Sequence, residues 1–177
     1  MYHMNVRQQI SKEIQLSIEA LIINSKFSLT KEEYGNLVSY DFNLGNFLKE
    51  GVTFIDILKT EKLRITLLIL LPQQTLPEHL HPSYLNEKGK EETIRVIYGK
   101  TKIYIEGNQN ISNINLPPGN ESFYTAKREI NLIKDQQFTI SPGMVHWFQS
   151  GSEGSVSLEF QTTVEENRNI FTNPNIT

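Results

Sequence analysis

From Gly51 onward the chain reads as a succession of short strand-like runs broken by turn clusters, and this restricts the fold more than any other feature. Residues 52–58 and 63–71 are apolar runs rich in Ile, Val and Leu, joined by a turn at 59–62. Further strands are predicted at 92–98, 101–106, 129–133, 137–141, 145–149 and 156–162. Gly, Pro, Asn and Asp gather between them, at 107–110, 116–120 and 151–154. Many short strands at near-regular spacing close into a sandwich or a barrel. The expectation is therefore an all-β barrel over residues 51–177.

The first 50 residues differ. Val6, Ile10, Ile14, Ile18, Leu21 and Ile22 recur at spacings of three and four, which line one face of a helix. Thr30 with Glu33 forms a capping-box pair and marks the start of a second, short helix. A polar connection follows at 43–50. This helical extension, residues 1–50, is expected to pack on the barrel rather than to fold apart. The last predicted strand supplies a reason: Val156, Leu158 and Phe160 alternate with Ser157, Glu159 and Gln161, so its apolar face needs a cover. Helices or a second subunit would serve.

Composition removes several function classes. Seventeen Lys and Arg stand against 20 Asp and Glu, a net charge of −3 with no basic cluster, which argues against a nucleic-acid partner. The absence of cysteine removes disulfides, Cys-ligated zinc and thiol nucleophiles. Residues 1–23 carry Arg7, Lys12, Glu13 and Glu19, unlike the apolar core of a signal peptide. The longest apolar run, residues 67–71, is far too short to span a bilayer. A cytoplasmic protein without a membrane partner is expected.

Three of the four histidines carry the chemistry. His79 and His81 are two apart, so in an extended strand both rings aim to one side. Glu92 opens the next strand and His146 a later one, whereas His3 lies near the N-terminus. A lone strand histidine is usually structural, and a His-x-His pair arises by chance. Three imidazoles with a carboxylate, however, form a mixed N/O donor set suited to manganese, iron, cobalt, nickel or zinc rather than calcium or magnesium.

The ordered pattern His79-Leu80-His81, Glu92, six residues, Gly99, then Pro142-Gly143 before His146 resembles the cupin superfamily. Gln73 and Gln136 stand where cupins often have glycine, and the ten residues between His81 and Glu92 are a longer gap than usual; neither change touches the ligand set. A longer match is more specific. Residues 71–82, 89–95, 146–151, Glu159-Phe160 and 170–174 resemble the D-lyxose isomerase family of cupins, with residues 108–123 matching least. That segment is a candidate border of the site.

The resemblance implies a cupin double-stranded β-helix, or jelly-roll, barrel with an N-terminal α-helical extension. It implies one divalent transition metal per chain, most simply Mn2+, on His79, His81, Glu92 and His146. The implied reaction interconverts D-lyxose and D-xylulose, and also D-mannose and D-fructose, through an enediol; a hydride shift is the alternative route. Cupin relatives are commonly homodimers. Lys90 and Glu159 match catalytic positions: the lysine would hold substrate oxygens and the glutamate would move the proton. Ordinary solvated roles are open to both. Phe148, which shares a face with His146, and Tyr104 are named as substrate-binding aromatics, although strand aromatics are more often core. Trp147 and Glu91 should face away from the ligands. A cupin oxygenase using iron and a non-catalytic sugar-binding barrel are the competing readings, and an acid–base pair favours the isomerase.

Overall fold

The computed structural model describes residues 10–83, 88–163 and 169–176. His3 and Val6, the start of the predicted helical face, lie outside the described residues. Helix α1 spans Lys12–Ser25, capped by the Ser11 side chain, which accepts from the Ile14 amide. Helix α2 spans Lys31–Gly35 and begins with the full Thr30–Glu33 capping box.

Nine strands follow: β1 (Val38–Tyr40), β2 (Val52–Lys59), β3 (Leu63–Leu70), β4 (Thr75–Leu80), β5 (Glu92–Ile105), β6 (Arg128–Ile133), β7 (Gln137–Ile140), β8 (His146–Thr162) and β9 (Ile170–Phe171). All named pairings are antiparallel. β5 and β8 are each one long strand where the sequence predicted two, and each serves two sheets. The first sheet runs β1, β2, β3, the second half of β8, the first half of β5, then β7. The second runs β9, β4, the first half of β8, the second half of β5, then β6. The fold is thus the cupin jelly-roll barrel expected from the sequence.

The apparent breaks at Gly99 and at residues 151–154 are the bends where both strands cross between sheets. Gly99 has φ 71°, and a Cβ there would lie 2.1 Å from the Gly154 carbonyl oxygen. Only glycine permits both the left-handed backbone and this approach.

Strand alternation sorts the apolar residues into three cores. Leu68, Leu70, Ile94, Val96, Ile103, Ile140 and Phe148 fill the barrel interior. Leu67, Ile69 and Val156, on the opposite face, are covered by Ile18, Leu21 and Ile22 of α1, so the helix supplies the predicted cover. Each fully buried aliphatic side chain there contributes roughly 1.5–3 kcal/mol. On the outer face of the second sheet, Ile111, Ile114 and Leu116 pack over Tyr104, Tyr124 and Trp147. No described helix is long and apolar enough to cross a membrane.

Candidate metal centre

β4 and β8 pair so that His79 stands directly opposite His146. His81, one step beyond the end of β4, keeps the side of His79, and Glu92 enters from the start of β5. All four side chains are buried. Their ligand atoms lie within 4.8 Å of one another. Ligands held about 2.0–2.2 Å from one ion stand at most about 4.4 Å apart, so the cluster has nearly the span of a single coordination sphere.

The hydrogen bonds set the histidine tautomers. His79 Nδ1 donates to the Pro77 carbonyl oxygen and His146 Nδ1 to that of Met144, each at 2.8 Å and each two residues back. That leaves both Nε2 lone pairs directed away from the strand, as metal ligands require. His81 Nε2, His146 Nε2 and Glu92 Oε2 are buried without a hydrogen-bond partner, a costly state that a bound cation would relieve. Burial first, then the neighbouring His146 and His81, holds the His79 pKa well below its ordinary value. Burial likewise lowers His81. Glu92 is held well below the carboxylate range, because the Lys90 charge and the adjoining His146 and His81 rings outweigh its burial. Neutral imidazoles beside an ionised carboxylate are the protonation states in which these groups bind metal. The donor set therefore fits one divalent transition-metal ion.

Two further groups border the cluster. Lys90 is buried, with Nζ 3.0 Å from Glu92 Oε1. The chain brings it there through Gly89, where a Cβ would fall 2.1 Å from the His81 carbonyl oxygen. Glu159 lies on the inward face of β8, two residues from Gln161, which stands opposite Glu92. It accepts a hydrogen bond from Gln161 Nε2. Burial, followed by the charge of Glu92, pushes the Glu159 pKa up to about 8, against the opposing pull of Lys90. A carboxyl poised near neutrality can both take and return a proton.

Comparisons with known proteins place the chain in a family and match its fold. The chain is 37% identical over 166 residues to the D-lyxose/D-mannose isomerase of Thermosediminibacter oceani, covering 93% of this chain and 92% of that protein. It is equally similar to the D-lyxose ketol-isomerase of Cohnella laeviribosi, covering 93% and 91% of the two chains. The chain belongs to the D-lyxose ketol-isomerase family. Members of this family are aldose–ketose isomerases. No protein-family model matches the chain. The L-ribose isomerase of Cellulomonas parahominis, solved with L-ribose, shares its fold at a TM-score of 0.74 and 15% identity, over 97% of this chain and 96% of that one.

Within this D-lyxose ketol-isomerase family member, the predicted aromatics part ways. Phe148 is buried in the barrel with its ring 5.4 Å from that of His146 and 6.5 Å from that of His79. Tyr104 does not reach the site. It faces outward from β5 between inward Ile103 and Ile105, stacks on Trp147 at 3.8 Å and donates to Glu129 Oε2. Its proximity in sequence to ligand-bearing strands was the misleading signal, because adjacent strand residues point to opposite faces. Residues 111–116 pack on that outer face too, so this part of the segment that matches least does not border the histidines. Trp147 and Glu91 face away as expected: the indole donates to the Ala126 carbonyl and Glu91 is exposed.

Sequence reasoning missed two site neighbours. Phe171, in the two-residue strand β9, lies 5.4 Å from the His79 ring. A strand this short has no periodicity to detect. Glu78, which alternates with His79, accepts from the Thr125 and Ala126 amides and the Thr125 and Thr172 hydroxyls. It ties the C-terminal segment and the loop after the outer core to the ligand strand.

Proposed function

We propose that this chain is a metal-dependent ketol-isomerase that interconverts D-lyxose and D-xylulose, and D-mannose and D-fructose more slowly. One observation carries the reading: a buried three-histidine, one-glutamate cluster with an ammonium, Lys90, and a near-neutral carboxyl, Glu159, at its edge. The named activities of the Thermosediminibacter and Cohnella relatives support the choice of sugar.

A divalent ion on His79, His81, Glu92 and His146, manganese by the family resemblance, would polarise the sugar carbonyl and stabilise charge on its oxygen. The remaining work falls to the chain. Isomerisation moves a proton from C2 of the open-chain aldose to C1, and a hydroxyl proton from O2 to O1. Glu159, ionised, takes the C2 proton to leave an enediolate; the O2 hydroxyl proton passes to O1, and Glu159 returns its proton to C1 to complete the ketose. Lys90 Nζ donates a hydrogen bond to a substrate oxygen. Phe148 packs against the histidines and keeps water from the reacting carbons.

We further propose a cytoplasmic homodimer. The exposed Leu16 and Ile23, seven residues apart on α1, support a subunit contact on that helix.

The test is purified protein, stripped with chelator and reloaded with manganese, incubated with D-lyxose or D-mannose. Ketose should appear only after reloading. No ketose from either sugar, with oxygen consumption in its place, would replace this reading with an oxygenase.

A further inference from the structure

Gln161 occupies a position that the proposed reaction does not yet use. It sits on the inward face of β8, paired with Glu92 of β5 on one side and Arg64 of β3 on the other. It is 4% exposed. Its two ends are unequal. Nε2 donates to Glu159 Oε2, whereas Oε1 is buried with no donor. An unpaired buried carbonyl oxygen is costly, and native interiors keep few of them. The residue is one of only five described residues with such an orphan atom; three others, His81, Glu92 and His146, belong to the metal cluster. Gln161 is thus paired directly with Glu92, a member of the cluster whose own missing partners mark a ligand site.

We infer that Gln161 is a two-ended residue of this site: its amide nitrogen orients the Glu159 carboxyl, and its carbonyl oxygen accepts a hydroxyl of the bound sugar. The inference rests on the isomerase reading for the identity of the ligand. Chemically, the free group is an acceptor without charge, so it takes a hydroxyl donor and not an anion. The arrangement couples recognition to catalysis, because the side chain that registers a substrate hydroxyl also holds the proton-transferring group. Arg64 alongside bonds Asp56 Oδ1 through Nε at 2.6 Å and gives no hydrogen bond to Gln161 Oε1.

Two substitutions separate the ends. Gln161→Met keeps length and burial but removes donor and acceptor. Gln161→Glu keeps acceptor oxygens and removes the donor. Each is measured in the manganese-loaded protein for metal content, melting temperature, kcat and KM on D-lyxose, and calorimetric affinity for D-arabinitol, the unreactive polyol of that sugar. Gln161→Met should keep its metal and bind D-arabinitol about tenfold more weakly, the worth of a buried hydrogen bond, with KM rising in parallel. Its kcat should fall about tenfold as Glu159 loses its restraint. Gln161→Glu should hold affinity within about threefold while kcat falls at least as far. A Gln161→Met protein with wild-type affinity and turnover, altered only in melting temperature, would make the residue mere packing and overturn the inference. Loss of metal in that variant would also overturn it, by assigning Gln161 to the metal centre. A wild-type protein that binds D-arabinitol yet makes no ketose would refute the isomerase reading alone, and the affinity comparison would still judge Gln161.

Discussion

Replacing Glu159 by Gln separates proton transfer from everything else at this site. The amide has the same length, and its carbonyl oxygen can still accept from Gln161 Nε2. It also removes a carboxyl that burial and Glu92 push up to about 8, so the fold loses no favourable charge. Melting temperature and metal content should therefore stay near wild type. What vanishes is the ability to accept a proton near neutral pH. A positioned general base is worth about 10²–10⁴ in rate, or roughly 2.7–5.5 kcal/mol of barrier, and turnover of D-lyxose should fall by that factor. Affinity for D-arabinitol should change less than about threefold, because the loss lies in the transition state. Exchange of the C2 hydrogen with deuterated solvent should cease along with turnover. Retained wild-type turnover would refute the assignment and pass the proton to another group, Lys90 being the candidate. A wild-type enzyme that turns over with no solvent exchange would instead indicate a hydride shift, leaving Glu159 to relay the hydroxyl proton.

His81→Ala should abolish stoichiometric metal and activity together while secondary structure persists, as read by elemental analysis and circular dichroism. Lys90→Met should keep the fold but lower kcat/KM by about 10–100-fold, the value of a charge-assisted hydrogen bond to substrate; unchanged kinetics would return Lys90 to a purely electrostatic partnership with Glu92. Gly99→Ala should destabilise the barrel by at least about 2 kcal/mol in urea unfolding, since a Cβ would lie 2.1 Å from the Gly154 oxygen at φ 71°. Stability should also fall above pH 10. Burial and the bond to Glu50 raise the Tyr124 pKa, so the unfolded chain releases its phenol proton first, and this contribution, complete below pH 10, is lost as pH rises. Tyr124→Phe should make that alkaline slope shallower.

The sequence by itself determined the parts of this protein that depend on local periodicity and on chemical type. The His79–His81 spacing placed two imidazoles on one face, and the capping residues marked the start of α2. The alternation of Ser157, Glu159 and Gln161 with Val156, Leu158 and Phe160 separated a polar face from an apolar one. Strand alternation says which residues share a face; it does not say which face becomes the inside. That choice was made only when β8 paired with β3, β4 and β5, turning Glu159 inward and Val156 under α1. The same pairing set His146 against His79 across 67 residues of chain. It also put Tyr104 on the outer surface, although its neighbours Ile103 and Ile105 point in. Lys90 shows the limit most clearly. Nothing in Lys88-Gly89-Lys90 marks a buried cation, because its burial depends on a close approach between the Gly89 and His81 backbones. Gln161 is the same case: its spacing put it on the polar face, but only the closed barrel left one end of its amide bonded and the other unpaired.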